Sequence, residues 1–184
     1  MGKEEVATFR PIGEVESAVR NKSEMPIGGV HAYIHVRPEF AEALDGIEGF
    51  SRLWVICFLH LADRSVLRAA PRKLSGILPE RGVFALRSPV RPNPISITVV
   101  RLMKREGLVL EVEEMDATDG TPVLDIKPYY SGMDAFWGMG SPYGDAKFAS
   151  ITDAMALDML LRTVEHYVGR ASVGAMLGLA AMFA

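Results

Sequence analysis

A single cysteine, Cys57, stands among the 184 residues, and that scarcity excludes an internal disulfide framework and any cysteine-based structural zinc site. Long apolar runs are also missing. The longest uncharged stretch, ASVGAMLGLAAMFA at 171–184, falls short of the roughly 20 residues that a spanning helix needs. The start, MGKEEVATFRPIG, has no apolar signal core, and Val6 stands where a myristoylation motif needs Ser or Thr. No G-x-G-x-x-G follows a first strand and no alternating βαβ pattern surrounds one, which excludes a Rossmann-type cofactor site. Together these absences predict a protein of the reducing cytoplasm, without a membrane span.

Positive charge is scarce overall but not locally. The net charge is −3, yet residues 64–105 carry ten Lys or Arg against one acid, Glu80, a local balance of +9. The remainder carries ten basic and 22 acidic residues, a balance of −12. The segment reads either as a solvated basic face or as a polyanion footprint on an acidic body.

Hydrophobic patterning is that of a mainly β protein. VATFRPIGEVE (6–16) reads as a first strand with an edge proline, and GVHAYIHV (29–36) alternates as a half-buried strand. RPEFAEALDGIEGF predicts a short helix between Pro38 and Gly46. RLWVICFLHL (52–61) is nearly all apolar and reads as a central strand covered on both faces, followed by a basic loop over 62–82. GVFAL, ISITVVRLMKR, GLVLEVEEMDA and TPVLDIKPYY complete the β region, with Glu106-Gly107 as a hairpin turn. Beyond residue 130 the period changes. Ala154, Leu157, Leu161, Val164 and Val168 form one helical stripe, and the uncharged 171–184 segment carries a GxxxG spacing at Gly174 and Gly178. The chain therefore divides into a β domain at 1–130 and a linker with a two-helix extension at 131–184, its apolar faces buried against the domain or a second subunit.

Few side chains in this pattern point to chemistry. His31 and His35, four strand positions apart, lie about 13 Å from each other and cannot share an ion, so no metal site is expected. Cys57 and His60 fall on opposite strand faces, which makes a buried structural thiol the better reading than a dyad. GMGSPYG (138–144) follows no strand and is a poor phosphate loop. Two stretches remain. In ALRSPVRPNPISIT (85–98) three prolines preset the backbone while Arg87 and Arg91 present planar forks for a carboxylate or phosphate. In MDATDGTPVLDIKPY (115–129), Asp119-Gly120 makes a tight turn, at which Thr121 offers a hydroxyl and an N–H. By chemistry alone each is a binding site or plain turn architecture.

The stretches GIEGFSRLWVICFLH, RGVFALRSPVRPNPISIT and DATDGTPVLDIKPY closely resemble the motifs of the TsaA-like, TrmO-type family over about residues 7–130. The resemblance implies a small antiparallel β-barrel that binds S-adenosylmethionine as a dimer. It further implies methylation of the N6 nitrogen of threonylcarbamoyladenosine at position 37 of tRNA. Carried over by position, the donor site comprises Met25, Pro26, Ile27, His60, Leu61, Arg87, Ile97, Asp119, Gly120, Thr121 and Pro122. The basic segment, including Arg64, Arg68, Arg72, Lys73 and Arg91, fits a tRNA backbone path. His60 and Asp119 are the candidates for accepting the N6 proton. Leu86, Ser96 and Arg52 depart from the family's Thr, Gly and His. A small metabolite as methyl acceptor, or a non-catalytic module of the same fold, are the rival readings.

Overall fold

In VHAYIHV the side chains of Ala32, Ile34 and Val36 are buried while His31 and His35 face solvent, so a period of two sets one apolar and one polar face. Six such strands close on themselves. The computed structural model describes residues 7–26, 28–70 and 79–134, all within the unit Met1–Ala135. Its strands are β1 (Gly13–Ser17), β2 (Val30–Val36), β3 (Arg52–Phe58), β4 (Arg68–Ala69), β5 (Arg81–Gly82), β6 (Ile95–Glu106), β7 (Val109–Met115) and β8 (Thr121–Pro128). All neighbours are antiparallel and form a closed barrel in the order β1-β2-β7-β6-β3-β8, with β4 and β5 as a separate two-stranded ribbon. Closure removes the exposed edges of an open sheet. The mainly β barrel expected from the sequence is the one observed.

The barrel interior is filled by inward positions such as Val15, Ile34, Leu53, Val55, Val100 and Leu110, each 1% exposed or less. Val112, Met115 and Val123 are fully buried with them.

Several elements differ from expectation for identifiable reasons. β1 starts at Gly13 rather than near Val6, because Pro11 lacks the N–H that a ladder needs. β3 is not covered on both faces: Leu53, Val55 and Cys57 are buried, but Trp54, Ile56 and Phe58 are only half-buried. Its apolar run reflects a barrel strand with an apolar outer face. The short helix is instead two 3-10 segments, Pro38–Leu44 and Ile47–Gly49, separated at Gly46, whose φ of 78° breaks the run. Of GVFAL only Gly82 lies in a strand, at the end of β5, and Val83–Ala85 is a 3-10 turn. The basic 62–82 connection contains the ribbon pair Arg68↔Gly82 and Ala69↔Arg81. The β6–β7 turn sits one residue later, at Gly107-Leu108. A single helical turn, Ser131–Asp134 (α1), follows β8. The expected C-terminal helices and the 138–144 loop lie outside the described residues.

One irregularity bears on the site. Alternation in β7 fails at Glu113-Glu114, both partly exposed. Val30 pairs with Met115 and Ala32 with Val112, so His31 alone faces two residues of β7. This is a β-bulge, and Glu114 takes a φ of 69° within it.

Candidate functional site at one end of the barrel

Strand register places the sequence-predicted residues together. β1 and β3 run out toward the same end of the barrel at which β2, β6 and β8 begin. Phe58 pairs with Ile95, Cys57 with Val123, Val15 with Thr121, and Ser17 with Ala32. The connections at that end therefore hold Met25 and Pro26 before β2, His60 and Leu61 after β3, Arg87 and the proline elbow before β6, and Asp119–Pro122 at the start of β8.

The elbow is anchored through its carbonyls, which proline keeps although it gives up the N–H. Leu59 donates its N–H to Pro94 O at 2.7 Å, and Arg64 Nε donates to Pro92 O at 3.0 Å. Pro94 is fully buried. Arg87 Nη2 donates to Ile97 O at 3.4 Å, which joins two of the expected donor-site residues directly. His60 and Leu61 flank the same anchor; both are exposed, Leu61 by 67%.

A second group forms around the DGTP turn. Gly120, at a φ of 72°, closes the turn, a backbone region open to glycine at no steric cost. Asp119 N–H donates to Val19 O and Gly120 N–H to Val15 O. The Asp119 carboxylate accepts from the Ser17 N–H at 3.1 Å and lies 3.7 Å from Arg20 Nε. Thr121 is 1% exposed, and its hydroxyl donates to Thr118 O at 2.6 Å. Both groups that the sequence offers to a ligand thus close the turn, since the Thr121 N–H also donates to Thr118 O, at 3.2 Å. Met25 is buried and Pro26 exposed, and Gly29 N–H donates to Pro26 O at 3.4 Å. Ile27 lies outside the described residues.

Cys57 is buried behind this end, and burial pushes its thiol up to about 12. Ser96 lies opposite it on β6, with a solvent-shielded hydroxyl whose neighbour is that weak thiol rather than a full hydrogen-bond partner. The thiol is inert packing, as its strand position implies. His31 and His35 are likewise committed to separate carboxylates, His31 to Glu111 at 2.8 Å and His35 to Glu16 at 2.5 Å.

The basic segment separates into two populations. Lys104 is paired with Glu106, while Arg101 lies 3.3 Å from Glu113 and Arg105 2.5 Å from Glu48. Those charges are matched within the barrel. Arg64, Arg87 and Arg91, in contrast, are held by the carbonyls of Pro92, Ile97 and Ser88, so their positive charge has no carboxylate partner among the described residues. Arg68 is between these cases, 3.9 Å from Glu80. Arg72 and Lys73 lie outside the described residues. Sequence reasoning missed the Glu113-Glu114 bulge, although two consecutive charges in an otherwise alternating strand were the signal, and it missed the exposed Phe84.

A closed antiparallel barrel with a loop-built, arginine-bearing end is an architecture distinct from the doubly wound nucleotide folds. Residues 14–135 match the tRNA-methyltransferase O N-terminal domain, and the chain belongs to that family. It is 45% identical over 131 residues to a probable S-adenosyl-L-methionine-binding protein of Methanothermobacter thermautotrophicus, covering 69% of this chain and 93% of that one. It is 34% identical over 134 residues to the tRNA (adenine(37)-N6)-methyltransferase of Escherichia coli, covering 66% of this chain and 57% of the relative. The crystal structure of TrmO from Pseudomonas aeruginosa superposes with a TM-score of 0.63 at 32% identity, over 77% of this chain and 64% of that one. The chain thus spans less than two thirds of the last two proteins.

Proposed function

We propose that this chain, by family an S-adenosylmethionine-dependent methyltransferase of tRNA, methylates the N6 nitrogen of threonylcarbamoyladenosine at position 37. The observation that carries the reading is the convergence, at one barrel end, of the Arg87–Ile97 contact, the His60-Leu61 corner and the Asp119–Pro122 turn. Bound S-adenosylmethionine supplies a methyl group on a sulfonium. Arg87 offers outward guanidinium donors to the donor's carboxylate, since only one of its N–H groups is committed to Ile97 O. The exposed apolar side chains of Leu61 and Ile97 offer surface for the uncharged part of the ligand. Methyl transfer needs in-line placement of nitrogen and methyl carbon, so rigid anchoring of the elbow serves the rate.

The N6 proton needs an acceptor. His60 is exposed at the site, whereas one oxygen of Asp119 already accepts from the Ser17 N–H, which favours His60 as base and Asp119 as the anchor of the turn. Arg64 and Arg91 supply a path for the RNA phosphates. A homodimer is part of the same reading: the outer faces of β3 and β6 pair Ile56 with Ile97 and Phe58 with Ile95, and Ile97 is 48% exposed. That apolar surface on the outside of a barrel suits a second copy.

Two measurements test the proposal. Calorimetry with S-adenosylhomocysteine should give binding for the wild type and a marked loss for Arg87→Ala; no heat from folded wild type overturns the donor site. Mass spectrometry of tRNA nucleosides from cells lacking the protein should show the N6-methyl species vanish and return on re-expression. Donor binding with unchanged tRNA nucleosides would point instead to a small-metabolite acceptor.

A further inference from the structure

Phe84 is 80% exposed, more than any other large apolar side chain among the described residues. It is not a loosely held residue. It is the middle residue of the Val83–Ala85 3-10 turn, whose Leu86 N–H donates to Val83 O at 3.2 Å. Its neighbour Val83 is 1% exposed and donates its N–H to Leu67 O at 3.0 Å. A buried valine and two backbone hydrogen bonds thus hold out in solvent an aromatic ring that burial would ordinarily favour.

The surroundings are cationic. Arg81 and Arg68 lie on the ribbon strands that lead into the turn, and Arg87 follows three residues later. Within residues 64–105 the single acid is Glu80, 3.9 Å from Arg68, and Asp63 next to Arg64 accepts from the Ser65 N–H and hydroxyl. Arg64 and Arg91, which the methyl donor does not use, carry positive charge with no carboxylate partner among the described residues. An apolar protein partner would gain nothing from so many cations. A polyanion that also presents flat apolar faces would use both features, and unpaired nucleotides are that chemistry.

The geometry points to Phe84 as a stacking platform for an unpaired base of the RNA, with the neighbouring arginines holding the phosphates on either side. This rests on the RNA reading above and adds to it a contact outside the methyl-donor site. Every base has a stacking face, so the contact gives affinity and places the strand without reading its sequence.

The test uses the full chain, tRNA, and a short single-stranded RNA carrying one 2-aminopurine, whose fluorescence is quenched by stacking. Wild type should quench the probe, and Phe84→Leu should abolish the quench and weaken binding of both RNAs by about 5-fold or more. Phe84→Tyr and Phe84→Trp should retain both. Because the contact is not ionic, the salt slope of Phe84→Leu should match wild type, whereas Arg64→Gln should flatten it. The side chain is exposed, so melting temperatures should agree across the series. Unchanged affinity and quench in Phe84→Leu overturns the platform while leaving the RNA reading intact. Failure of wild type to bind tRNA overturns both. Should Phe84→Leu instead turn a dimer into a monomer in sedimentation at equal concentration, Phe84 packs on a second copy and the stacking proposal falls.

Discussion

Arg52 Nη1 lies 2.8 Å from Glu114 Oε2, although β6 stands between their strands. Arg52 faces Arg101 directly across the β3–β6 register, and like charges opposite one another destabilise a sheet. The bulge in β7 answers both arginines. It turns Glu113 and Glu114 to one face, where Glu113 meets Arg101 at 3.3 Å and Glu114 meets Arg52. The left-handed conformation of Glu114 is the cost of that arrangement.

Glu114→Gln should therefore destabilise the fold by about 1–2 kcal/mol, since Arg52 is only 12% exposed and loses its charged partner. Thermal unfolding of Glu114→Gln, Arg52→Gln and the double variant measures the coupling. Additive losses would show that the two side chains do not stabilise one another.

Gly29→Ala should cost about 1–3 kcal/mol. Its φ is 76°, and an added Cβ would meet the Glu114 backbone at 2.5 Å. The strand entry that carries Met25 and Pro26 would move with it, so S-adenosylhomocysteine affinity should fall in step. Calorimetry at a temperature where the variant remains folded checks this.

Thr121→Val keeps the shape of the side chain but removes the donor to Thr118 O. A loss of about 1–2 kcal/mol is expected in denaturant unfolding. If stability is unchanged, the hydroxyl does not hold the DGTP turn.

The Cys57 thiol should resist a thiol reagent in the native state and react only on unfolding. With its folded value raised to about 12 from an ordinary 9.0, the unfolded chain gives up its proton first as pH rises. Stability from this group is therefore complete below about 9 and declines between about 9 and 12. Cys57→Ala should flatten that alkaline decline, although it opens a small cavity.

Much of the barrel was legible in the chain because burial in strands follows a period of two. VHAYIHV announces which side chains face inward, and ISITVVRLMKR followed by Glu106-Gly107 announces a long strand and its hairpin. The motif stretches likewise pointed to Arg87, Ile97 and Asp119–Pro122 before any geometry was known. Tertiary structure decided what local pattern could not. That RLWVICF lines a barrel with an apolar outer face, rather than a central strand covered on both sides, depends on closure between β8 and β1. The use of the Thr121 hydroxyl within its own turn depends on burial, and the split of the basic segment into matched and unmatched arginines depends on acids as distant in sequence as Glu48. A strand's own residues set its two faces; only the partners that closure brings to them determine which groups remain for a ligand.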